Sequence, residues 1–331
     1  MHAGVRTPVT IGTALLGAGI IAAVPMAAQP PTSVHVPSIK LVDSIDPSGA
    51  WLDAFDSAST NATQVFDSLS DSTSALYQSL GATFGQLGDI SSIGASLENA
   101  FNAATFADVD VATPAGSDLA AQTLDFNHLW ALQYISGMDM GDYMGAPVQI
   151  PEIQPAADIL TMLSSPMSGV MIGIIGPIVS PGVALLNSLE AIGTDLGTSD
   201  LTGATQGMLD LPANVFDAFF NGATLNLDSL APALTELLQV PAGNEVTGIE
   251  FAFGGLFTPG VTEAGNVGGS LFNSLGLDLI MQGMGMPYDA PGEAIGPIGA
   301  LADLAQMIAD ALGASGAAAG SSLADAALAA F

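Results

Sequence analysis

The chemistry this chain could perform is limited by its reactive side chains. It has no cysteine, and its only imidazoles are His2, His35 and His128. Without thiols there are no disulfides and no thiolate metal sites. Of the three histidines, only His128 lies in a stretch with helical periodicity, three residues after Asp125 and so on the same side of a helix. A Ser–His–Asp hydrolase would have to use this pair, but no Gly-x-Ser-x-Gly elbow accompanies it. His128 is therefore expected to be structural. Asp108 with Asp110, and Asp139 with Asp142, are close acids outside any twelve-residue calcium-loop pattern, and are expected to be solvated loop residues. No glycine-rich turn is followed by lysine, which argues against nucleotide chemistry. The residues nominate no catalytic group, no cofactor and no resident metal, and the chain is expected not to be an enzyme.

The charge balance narrows the partners. The 32 acidic residues face two bases, Arg6 and Lys40, for a net charge of -30. Such a molecule repels phosphate backbones and anionic headgroups, so nucleic-acid binding and polybasic membrane adhesion are excluded, and cations are its natural counter-species. Salt bridges and basic caps at helix carboxyl ends are almost unavailable. Only 10% of residues are charged while 49% are hydrophobic, against a charged share of roughly 25% in ordinary soluble domains. Stability must come from apolar packing and backbone hydrogen bonding.

The elements that would position any function begin with residues 1–28. A short start bearing Arg6, an apolar run from Val9 to Val24 and a Pro25-Met26-Ala27-Ala28 exit have the layout of a signal peptide or amino-terminal anchor. Residues 29–45, with Pro30, Pro31 and Pro37, read as an extended linker. Over 46–106 apolar residues recur every three or four positions, predicting an amphipathic helix or helix pair over Trp51–Leu87, started by Asp46-Pro47, and another helix through Ile93, Leu97 and Phe101. Residues 107–158 are read as a loop-rich middle region with one helix over 119–135, the stretch 107–118 being loop.

From Ile159 to Leu189 no residue is charged, and these 31 positions are long enough to cross a hydrocarbon layer. Pro166, Pro177 and Pro181 interrupt the run, so two packed core helices, the second starting at Ser180-Pro181, are preferred over one kinked membrane span. Gly169 and Gly173, four apart inside this stretch, sit where a small-residue contact between membrane helices would matter. Helices are further expected over Pro212–Phe220 with a cap at Gly222, over Ser229–Val240 and over Ile295–Leu312. One strand is expected at Thr247–Phe253, and residues 313–331 form an Ala/Gly/Ser-rich tail. The fold class is thus mainly α: a helical bundle with irregular Gly/Pro-rich loops and at most a short β-hairpin. It is not a β-barrel, which would need many alternating segments.

Three blocks carry a resemblance. Gly176–Ile192 reads GPIVSPGVALLNSLEAI, Leu211–Leu225 reads LPANVFDAFFNGATL, and Phe253–Gly260 reads FGGLFTPG. Together these resemble the porin-A-like outer-membrane porin family of Gordonia and mycobacteria, over a region set at 159–312. The resemblance implies export to the mycolic-acid outer membrane or cell surface and a channel for small hydrophilic solutes. It brings no catalytic or ligand residue and identifies no pore-lining one. With the acidic charge, cation preference and a homo-oligomer are expected. The alternative expectation is an exported or secreted structural or interaction protein of the envelope.

Overall fold

The computed structural model describes residues 45–85, 90–136, 154–237, 245–280 and 287–328. The expected export segment and nearly all of the linker lie outside these residues, as do Asp139 and Asp142. The described chain is mainly helical, as the spacing predicts, with one small sheet.

Helix α1, Gly49–Gly85, is a single helix of 37 residues rather than a pair. Asp46 caps it: Oδ1 accepts from the backbone N–H of Ser48 and Gly49, and the exposed carboxyl is held below its usual pKa chiefly by the Ser48 hydrogen bonds. Helix α2 spans Ile90–Thr105. The stretch expected to be loop contains the start of α3, Pro114–Ala120, where the Thr113 hydroxyl accepts from Gly116 N–H and proline takes the first position. The single helix expected over 119–135 is broken by a turn, and α4 covers only Phe126–Ile135. Helix α5, Gln154–Leu163, ends at Ser164 and Ser165.

Helix α6, Pro166–Gly197, corrects the expected start at Ser180-Pro181: the break falls at Ser165, which caps Ser168 N–H, and Pro177 and Pro181 both lie inside one helix of 32 residues. Interior prolines each remove a helix hydrogen bond. Here Ser180 Oγ donates within 3.1 Å of the Gly176, Phe253 and Gly254 carbonyls, and the packed neighbours hold the helix through the gap.

Helix α7, Leu201–Asn221, starts eleven residues before Pro212, at the Asp200 cap, and ends at Gly222, whose φ of 97° suits glycine but whose ψ of 174° is extended rather than the left-handed helical cap expected there. A 3-10 turn at Asp228–Leu230 leads into α8, Ala231–Leu237; the remainder of the Ser229–Val240 expectation lies outside the described residues. Helix α9 runs Pro297–Leu328, so helical backbone continues through most of the expected tail.

The sheet has four antiparallel strands in the order β1 (Ala223–Asn226), β2 (Glu245–Phe253), β3 (Leu275–Ile280) and β4 (Pro287–Ala290). That is two more strands than a hairpin, and it is an open sheet, not a barrel. The expected strand is β2. It pairs with β1 through Ala223 opposite Phe253, and with β3 through Phe251 opposite Leu275.

Three buried clusters hold the body together. The largest joins Phe106, Val111, Leu124, Leu132, Phe272 and Met307, bringing the stretch after α2 together with α4 and α9 onto the loop before β3. Ile172, Ile295 and Ala300 seat α6 on the start of α9, and Val246, Ile249 and Ala231 seat α8 on the sheet. Helix α9 packs along α1, and α6 along α7.

Candidate functional site

Two features of α6 define the candidate site. One face is turned inward and lined mostly by small residues: Gly169, Gly173, Gly176, Ser180, Ala184 and Ser188 are all buried, with Ile172, Val183 and Ile192 as the larger apolar residues among them. A β-carbon on Gly169 would lie 2.2 Å from the Gly269 carbonyl oxygen, and one on Gly176 would lie 2.2 Å from that of Gly254. At Gly173 it would lie 3.0 Å from the Gly296 carbonyl. These separations are below van der Waals contact, so glycine is required for the backbone of α6 to touch the loops. The Gly169/Gly173 pair, expected to matter for contact between membrane helices, is thus occupied by the chain's own backbone.

The opposite face is large, apolar and exposed. Met171 is 60% accessible, Ile174 57%, Ile178 78%, Leu186 60% and Leu189 51%. With steps of three, four, eight and three residues, they fall on one side of the helix and form a stripe along it. Soluble proteins ordinarily bury such side chains, each worth about 1.5–3 kcal/mol on burial. The inversion, small residues inside and large apolar ones outside, continues on α7 with Leu201 at 69% and Met208 at 57% exposed. On α1 the buried residues are Ala54, Ala58, Val65, Ser72 and Thr83, while Phe66 and Tyr77 face outward. Among the described residues α6 is the one helix long and apolar enough to cross a membrane.

The second feature is where α6 is anchored. The three sequence blocks singled out above converge on one junction. Ser180 of the first bonds to Phe253 and Gly254 of the third. Leu256 and Phe257 N–H donate to the Phe219 and Phe220 carbonyls of the second, and Thr258 Oγ1 donates to the Asn221 carbonyl. Asn187 of the first block donates to the Thr224 carbonyl. Beside the junction opens a cleft of about 270 Å³, walled by Asn221–Thr224, Thr258–Val261 and Glu293. Burial pushes the Glu293 carboxyl above its ordinary pKa, with the Asp125 and Glu250 charges adding to the rise and His128 opposing it.

The Asp125–His128 pair is in contact, as its spacing predicts. Nδ1 of His128 lies 2.5 Å from Asp125 Oδ2, and Nε2 donates to the Leu275 carbonyl at 2.7 Å. Asp125 Oδ1 accepts from Asn127 and His128 N–H and so also caps α4. A ring nitrogen that donates to a carbonyl has no lone pair left for a serine hydroxyl, so this arrangement cannot act as a general base. The Phe272 ring stands edge-on to the imidazole, and Tyr288 donates to the Asn127 carbonyl, closing the pair off. Asp110 organises a turn by accepting from Ala112 N–H, and Asp108 is exposed. Among the described residues no three His, Asp or Glu side chains converge to hold a metal ion.

Sequence reasoning found the apolar run of α6 but not its inversion. Compared with protein-family models, with characterised proteins and with solved structures, the chain finds no match in any of the three.

Proposed function

We propose that this chain is an exported, non-enzymatic protein of the bacterial cell envelope, seated in the outer apolar layer through the exposed face of α6. Copies assembled around water then pass small hydrophilic solutes, cations ahead of anions. The observation that carries this reading is the inverted helix. A chain with net charge -30 keeps an uncharged stripe of Met, Ile and Leu outside and glycines inside, and a hydrocarbon layer covers such a stripe without desolvation cost. Two further observations support it: the resemblance of the three blocks to a porin family, and their convergence on the junction that anchors α6. Acidic walls around water favour cations. The test is reconstitution of purified protein in planar bilayers. Stepwise conductance with a reversal potential displaced toward the cation is expected, and silence or anion preference refutes the channel.

A specific observation favours a second reading, an exported interaction protein that makes no pore. The small-residue face of α6 is already used within the chain, so its close contact with another helix through Gly169 and Gly173 is not available. Fractionation separates the two, since release into culture fluid fits the interaction protein and extraction only with detergent fits the channel.

A further inference from the structure

On the far side of α9 lies a second cavity, of about 400 Å³, between α1, α9 and the turn at Gly265–Val267. Its lining is almost wholly polar, with Asp71 from α1, Gln122, Asn266 from the turn, and Asp303, Gln306 and Asp310 from α9. Gln306 Nε2 donates to Asp310 Oδ1 at 2.9 Å, which leaves the Asp310 carboxylate at the wall.

Asp303 sets this cavity apart from a solvated acidic patch. It is 4% exposed, and its one hydrogen bond is a long one, 3.4 Å from Gly269 N–H to Oδ2. The other carboxyl oxygen has no hydrogen-bond partner among the described residues. No fully occluded side-chain oxygen there lacks a partner, so this one faces the cavity. A buried carboxyl normally has two or three donors or a basic partner. None is available, because residues 45–331 contain no Lys or Arg and their single histidine is committed to Asp125 and Leu275.

We infer that this cavity binds a small organic ammonium ion, whose N–H groups meet the free Asp303 oxygen and whose further donors meet Asp71, Asp310 and the amide oxygens of the wall. The lining selects that class by elimination. Anions are repelled by three acids, and metal ions are disfavoured because no three acid ligands converge closely enough. A neutral polyol would match the amides but brings no positive charge to a lining that holds three acids. An ammonium group offers three donors and a positive charge at one point, which is what the Asp303 oxygen lacks.

Burial pushes the Asp303 carboxyl above the ordinary carboxylate pKa, opposed by the Gly269 hydrogen bond, and a cation at the free oxygen favours its charged form.

The inference is independent of the channel reading, since it is measured on the full chain in solution and stands or falls whether or not the protein conducts. Isothermal titration with 1,4-diaminobutane is run at constant ionic strength in phosphate buffer, and one saturable site is expected. Asp303→Asn weakens binding by about tenfold or more, while Asp53→Asn, an exposed acid outside the cavity, leaves it unchanged. If Asp303→Asn fails to fold, Gln306→Ala at the cavity wall carries the same expectation of weakened binding. No saturable heat, equal binding of glucitol, or binding unaffected by substitution at Asp303 or Gln306 overturns the inference.

Discussion

Gly176 in the middle of α6 rests directly on Gly254 at the end of β2, so close that a β-carbon on Gly176 would lie 2.2 Å from the Gly254 carbonyl oxygen. With no room for a methyl group, Gly176→Ala must move α6 away from the sheet and strain the three bonds of Ser180. The expected loss is about 1–3 kcal/mol, read as a lower midpoint in urea. Gly182, one turn and a half further along, has open space at the same atom. Gly182→Ala is expected to raise the midpoint instead, by roughly 0.5–1 kcal/mol, because alanine suits a helix interior better than glycine.

His128 is the one imidazole after residue 44, and its Nδ1 meets the Asp125 carboxyl in a buried setting. Its removal strands Asp125 without its partner and opens a gap beside Phe272. His128→Ala is expected to destabilise the fold by about 3–5 kcal/mol, checked by denaturant titration at pH 7.

The pH dependence of stability follows from which carboxyls the fold disfavours as anions. Burial raises Asp303 well above its ordinary 3.8. Asp278 is also raised, first by burial and then by its hydrogen bond with Asp289, which sits opposite it across β3 and β4. For an acid raised on folding, the native state holds the proton more tightly than the unfolded chain. Stability therefore falls as pH climbs from the ordinary carboxylate pKa through the raised one. The thermal midpoint is expected to be higher at pH 5 than at pH 8. Asp303→Asn, which cannot ionise, should narrow that difference and gain stability at pH 8.

Much of this architecture was legible in the chain. Apolar spacing located α1 and α2, Asp46 and Gly222 marked helix ends, and the uncharged run marked an apolar region, read as two helices where the chain forms one long one after Ser165. What was missed has physical reasons. β1 and β4 are four residues each, too short for alternation to register, and they exist because β2 and β3 offer them edges. Ser180-Pro181 looks like a helix start, yet in place the serine hydroxyl bonds carbonyls of its own helix and of the sheet, a partner 73 residues away that local spacing cannot reveal. The inversion of α6 was hidden because periodicity marks two faces without saying which one the body will cover. Asp303 did leave a signal, falling between Ala300 and Met307 on the buried stripe of α9, where an acid is out of pattern.

The exposed stripe itself can be edited without touching the core. Ile178 and Leu186 are 78% and 60% accessible, so Ile178→Asn with Leu186→Asn should leave the urea midpoint within about 0.5 kcal/mol. The same pair should cut recovery with floated liposomes by about tenfold or more, since each side chain is worth roughly 1.5 kcal/mol or more in an apolar layer. Unchanged flotation would place the membrane contact elsewhere.

Because the chain has no native cysteine, the proposed membrane face of α6 can be tested with single labels. Ile178→Cys and, on an exposed face of α1, Asp67→Cys are each coupled to an environment-sensitive fluorophore and the protein is bound to vesicles. The label at 178 should be quenched by brominated lipid and shielded from aqueous iodide, and the label at 67 should show the reverse. If both labels are equally open to iodide and untouched by the lipid quencher, α6 does not face an apolar layer and the envelope-seated channel is wrong.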